Sequence, residues 1–143
     1  MSKIKRRKSG CYCINLRRAA NTISNIYDKF LMPIDLSVNQ FSLLLNLNRL
    51  EICSVSDLAV YIGLERTTVV RTIKPLIERG LITDISSDNQ RNRKLTLTAE
   101  GKEKIQKGLP LWEDAQNFIK EHLGEDKVKT LYSILDEFNE IKL

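Results

Sequence analysis

Histidine occurs once, at position 122, and no two cysteines stand at the CxxC spacing. A structural zinc site draws on four such ligands, so no metal ligand is expected. Three cysteines are an odd number and too few for a disulfide framework. No apolar run approaches the length of a membrane span. The basic start MSKIKRRKSG is followed by no apolar h-region, so no secretory signal is read and the cytoplasm is the expected location. No nucleophile stands at a suggestive distance from a base, and there is no glycine-rich phosphate loop. Neither catalysis, nor catalytic residues, nor a cofactor is expected.

What is present suits a polyanion. The 143 residues carry a net charge of +5, unevenly spread. Residues 1–18 hold seven basic residues and no acid, whereas residues 110–143 hold four basic and eight acidic. Positive charge therefore gathers away from the C-terminal end, which is left for a different task. Hydrophobic residues make up 42% and charged ones 29%, the proportions of a globular chain of one domain with a real core.

Apolar residues recur at helical spacing through Leu16, Ala19, Ala20, Ile23, Ile26, Tyr27 and Phe30. That wide stripe predicts a helix over about 11–31, buried against more than one neighbour. Residues 1–10 read as a basic disordered terminus. Ser37 and Gln40 form a capping-box pattern that opens a second helix with Phe41, Leu44, Leu45 and Leu47 inward. Ser54 and Asp57 repeat the pattern for a third helix, and Gly63 supplies the turn that ends it. A fourth helix runs from about Glu65 to Arg79 with Val69, Ile73, Leu76 and Ile77 on its core face. Pro75 inside it predicts a local bend. Leu81–Ile85 and Lys94–Thr98 are short β-prone runs joined by the polar segment Ser86–Arg93, a hairpin with an exposed tip. Thr98 can cap the next helix, with Glu100 in its first turn. Ile105, Leu109, Trp112, Ala115 and Ile119 line that helix, and Val128, Leu131, Leu135, Phe138 and Ile141 line the last.

The order of capped helix, glycine turn, Arg/Thr helix, strand, basic tip and strand is that of a winged helix-turn-helix. Thr67, Thr68 and Arg71 suit base edges, since arginine pairs bidentately with guanine and threonine meets thymine methyls. Helix starts at Ser54, Ser56 and Arg66 suit phosphates. Lys74 extends the same face, and Arg91, Arg93 and Lys94 at the wing suit the minor groove or its phosphates. The flanking helices exceed what a winged module needs. Leu16, Ile23, Trp112, Ile119, Leu131, Leu135 and Phe138 are therefore expected at a dimer interface.

At these residues the chain resembles the MarR family of transcriptional regulators. LERTTVVRTIKPLIERGLI is similar to that family's recognition helix, and its wording includes the proline. LTLTAEG and the wing arginines resemble its wing signature, with Asn89 where the family has Asp. CYCINLRRAANTISNIYDKF resembles the first helix of one subgroup. The resemblance implies a mainly α fold with a small β-hairpin wing. The winged helix-turn-helix would span about 37–100, flanked by dimerisation helices over about 11–31 and 99–142 of a single domain over 11–143. It further implies a homodimer on double-stranded DNA at a pseudo-palindromic operator, a repressor released by a small-molecule effector of unidentified chemistry. Two alternatives stand beside this. Some relatives sense peroxide through a first-helix cysteine, which makes Cys11 and Cys13 redox candidates in a basic neighbourhood. Residues two apart on a helix diverge by about 200°, so the two cannot pair without unwinding, and small packing residues are the plainer reading. The other alternative is a winged helix that binds protein rather than DNA.

Overall fold

The computed structural model describes residues 3–86 and 93–143. Among these the elements run α1 (Tyr12–Phe30), a 3-10 turn (Met32–Ile34), α2 (Val38–Leu50), β1 (Ile52–Cys53), α3 (Val55–Ile62), α4 (Arg66–Glu78), β2 (Ile82–Asp84), β3 (Leu95–Leu97), α5 (Ala99–Leu123) and α6 (Glu125–Asn139). The fold is mostly helical with one small antiparallel sheet in the order β1-β3-β2.

Both capping boxes form. Ser37 Oγ accepts from Gln40 N at 3.1 Å while Gln40 Oε1 accepts from Ser37 N at 3.0 Å. Ser54 Oγ accepts from Asp57 N at 3.0 Å, and Asp57 Oδ2 from Ser54 N at 3.4 Å. Each box satisfies helix donors that have no partner within the helix. Gly63 ends α3 at φ +78, a conformation that favours glycine. Thr98 Oγ1 accepts from Gly101 N and donates to the Gly80 carbonyl, so it caps α5 and ties it to the end of α4. Neither Pro75 nor Pro110 ends its helix.

Strand β1 has no counterpart in the sequence reading. Two residues are too short for a period-2 signal. Ile52 pairs with Thr96 and Cys53 with Leu95, and Thr96 Oγ1 donates to the Glu51 carbonyl at 2.8 Å. The hairpin therefore sits against the entry to α3.

The buried cluster belongs to the middle of the chain. Phe41, Leu44 and Leu47 of α2, Leu58 of α3, Val69, Ile73 and Leu76 of α4, and Ile82 and Leu95 of the sheet close on one another, joined by Leu31, Ile34 and Ile105. Helix α5 crosses this core closely at Gly108, where a Cβ would overlap the Phe41 ring. Cationic side chains hold the 3-10 turn: Lys104 Nζ donates to the Ile34 carbonyl at 2.9 Å, and Arg79 Nη1 to the Asp35 carbonyl at 2.7 Å.

The ends of the chain differ. No residue of α1 or α6 is buried. The α1 stripe expected to be covered on more than one side meets α5 on only part of its length, with Phe30 and Phe118 ring centroids 5.7 Å apart. Ile26, Tyr27 and Phe30 are half-buried at that end, where α2 and the 3-10 turn also approach, whereas Leu16, Ala19, Ala20 and Ile23 are exposed.

Candidate nucleic-acid interface

Helix α4 is amphipathic by spacing. Val69, Ile73 and Leu76 are buried, which turns Thr67, Arg71 and Lys74 to the opposite side. Arg66, Thr67, Thr68, Arg71 and Lys74 are all exposed. Thr72 Oγ1 donates back to the Thr68 carbonyl at 2.9 Å, and Thr68 itself is exposed. The packed face fixes the helix, and the presented groups stand on rigid backbone. Ser54 is half-buried in its cap, and Ser56 is exposed two residues later.

The wing supplies the other side. Arg93 and Lys94 are exposed at the foot of β3, whereas Arg91 and Asn89 lie outside the described residues. Between α4 and this foot runs a groove of about 520 Å³. Arg66, Lys74 and Arg93 stand on it, over an apolar floor that includes Val70, Ile73 and Leu95. The fold thus brings three of the expected DNA contacts, 27 positions apart in sequence, to one groove. Val70 and Glu78, which the sequence reading passed over, share that lining. Val70 falls on the flank of α4 rather than its core line, and only the wing's position gives that flank a role.

Arg93 is held from below. Its Nε lies 3.7 Å from Asp84 Oδ2, while Asp84 Oδ1 accepts from Ser86 N at 2.9 Å and Ser86 Oγ at 2.5 Å. The Ser86 hydrogen bonds, and then the Arg93 guanidinium, keep the Asp84 carboxyl below the usual carboxylate range. Asp84 was not among the expected site residues. Its signal was legible as an Asp two residues before a serine in a turn, an Asx-turn pattern.

The proposed interface residues fall into two groups. Leu16, Ile23, Leu131, Leu135 and Phe138 are exposed, between 39% and 47%. Trp112 and Ile119 are half-buried, with Trp112 packed against the central core. Cys11 and Cys13 are exposed, and Cys53 is buried. Among the described residues no cluster of His, Cys, Asp and Glu could hold a metal ion. No described helix is long and apolar enough to cross a membrane.

The family model described as the MarR family matches residues 36–93. The M. tuberculosis transcriptional regulator MosR, solved in complex with DNA, is 32% identical with a TM-score of 0.77, over 91% of this chain and 96% of its own. Bordetella bronchiseptica BpsR, whose DNA binding is regulated by 6-hydroxynicotinic acid, superposes with a TM-score of 0.80 over 96% of this chain and 99% of its own. At 21% identity that likeness is one of fold. The HTH-type transcriptional regulator Hpr of Halalkalibacterium halodurans is 26% identical over 121 residues, which span 84% of this chain and 62% of that curated relative.

Proposed function

We propose that this chain, which belongs to the MarR family of transcriptional regulators, is a sequence-specific DNA-binding repressor that acts as a homodimer on a pseudo-palindromic operator. The observation that carries this reading is the convergence of Arg66 and Lys74 of α4 with Arg93 of the wing on one groove beside an outward row of Thr67, Arg71 and Lys74. The outward row enters a major groove and reads base edges. The wing foot lies on the flanking backbone, where Arg93 and Lys94 neutralise phosphates. The capped start of α3 at Ser54 gives a further phosphate anchor.

A repressor that reads two half-sites needs a twin. Exposed apolar residues on α1 (Leu16, Ile23) and α6 (Leu131, Leu135, Phe138) offer surface for it. Release by a small-molecule effector belongs to the same reading.

A selection from a random duplex library, at near-physiological salt with reduced protein, tests it. Enrichment of an inverted repeat with half-sites about 10 bp apart is expected. A folded, dimeric protein that enriches nothing would leave the winged helix as a protein-binding module.

A second reading, thiol sensing, is favoured by the exposure of Cys11 and Cys13. Cys53 is set apart, because burial, and then Asp57, pushes its thiol up from the ordinary value. Operator binding that peroxide weakens in the native chain and leaves unchanged in a Cys11→Ser, Cys13→Ser variant is its expected outcome. Equal behaviour of the two proteins removes it.

A further inference from the structure

The three cations of the α4–wing groove are not held alike. Among the described residues neither Arg66 nor Lys74 has an ion pair, whereas Arg93 has Asp84. The hairpin builds that pair. Asp84 stands opposite Leu95 in the β2–β3 register, and the Ile85 N–H donates to the Lys94 carbonyl at 2.8 Å, so the pairing runs on past β2. Residues two apart on a strand share a face. Arg93 therefore stands on the Leu95 side, the side that floors the groove, and Asp84 stands there with it. Asp84 is no part of the groove lining and lies behind Arg93.

The hold has a direction. Asp84 Oδ2 faces Arg93 Nε, the inner edge of the guanidinium, at 3.7 Å. Asp84 Oδ1 is taken by Ser86, whose N–H and hydroxyl both donate to it. The carboxylate is thus fixed by its own turn before it meets the arginine, and its side chain is 26% exposed against 67% for Arg93. No hydrogen bond or ion pair among the described residues engages the two Nη atoms of Arg93. Those are the paired donors that a phosphate takes.

Two costs fall on an arginine at this place. It gives up rotamer freedom when it binds, and Arg66 and Lys74 repel a third cation beside their groove. A fixed carboxylate at Nε offsets both. The same carboxylate is a negative charge beside a polyanion, and on charge alone it should weaken duplex binding. The two effects have opposite signs, so one measurement separates them.

We infer that Asp84 is a positioning residue for DNA binding: it holds Arg93 by the Nε edge so that both Nη atoms face a phosphate, and this gain exceeds the repulsion of its own charge. The inference rests on the DNA-binding reading above and adds to it a residue that touches no DNA.

Anisotropy titrations of the full chain on a labelled duplex test this. The probe is the selected operator or, if selection yields none, a mixed-sequence duplex at low salt. Asp84→Asn keeps the size of the side chain and an oxygen for Ser86, and removes the charge. It should bind about threefold to tenfold more weakly, the cost of one long side chain left unordered. Ser86→Ala keeps the charge and removes the lock, and should weaken binding by a smaller factor. Arg93→Ala should lower affinity and flatten the log–log salt dependence by about 0.9, the share of one phosphate. In the Arg93→Ala background the Asp84→Asn change should lose its penalty and tighten binding slightly, since only repulsion is left to remove. Asp84→Asn that binds as tightly as the native chain, or more tightly, would overturn the inference. So would an equal loss with and without Arg93, which would make Asp84 a support of the whole wing. An Arg93→Ala chain with native affinity would overturn it as well. A native chain that binds no duplex, selected or mixed, would remove the DNA-binding reading and this inference together.

Discussion

The winged lobe and the terminal helices solve the same packing problem in opposite ways. From Leu31 to Ile105 the apolar residues face one another and close a core within one chain. In α1 and α6 the apolar rows are as regular, yet no residue is buried. Helical periodicity says only that one face is apolar. It does not say whether that face will meet the same chain or another. The lobe buries its apolar residues on its own contacts and packs α4 against them, whereas the ends are left as surface that a second copy can cover.

The sharpest way to break this contrast is to charge the α6 row. Leu135→Lys with Phe138→Lys removes two side chains, each of which contributes about 1.5–3 kcal/mol when buried. Sedimentation should show a monomer, operator affinity should fall with it, and the thermal melt of the lobe should persist. A variant that melts early instead would show that α6 serves its own lobe. Leu44→Ala is the counterpart inside the lobe. Leu44 is fully buried, so urea denaturation should show a loss of about 2–5 kcal/mol. Leu16→Ala, measured in the monomeric background, should change stability by less than about 0.5 kcal/mol.

Two smaller effects sharpen the DNA-reading side. Arg71→Ala should cost about 1–3 kcal/mol of operator affinity and relax preference at one base position. Equal loss on every duplex would make Arg71 a phosphate anchor. Asp84→Asn should cost at most about 1 kcal/mol of stability, because Arg93 is largely solvated. Its pH dependence has a definite sign. The folded state holds the Asp84 carboxyl below its ordinary value, so the charged form stabilises the fold above about pH 4 and that contribution is lost as pH falls further. Denaturation curves of the two proteins should therefore differ at neutral pH and converge in acid.

Much of the lobe was legible because local chemistry agreed with global packing. Ser37 with Gln40, and Ser54 with Asp57, wrote their capping boxes in four letters each, and both formed. The face of α4 followed from the spacing of Val69, Ile73 and Leu76. Strand β1 was not legible, because Ile52–Cys53 becomes a strand only through the partner residues Thr96 and Leu95. Nor was the part of Asp84 in holding Arg93, nine positions on, since that pair depends on the hairpin register.

The sequence by itself determined which residues could face DNA and which faces would be apolar, since side-chain direction follows from the helical repeat and from caps confined to neighbouring residues. Only the tertiary structure decided which distant cations share a groove and which apolar rows stay uncovered. Those outcomes depend on where long-range packing places one element against another, and no local spacing encodes that distance.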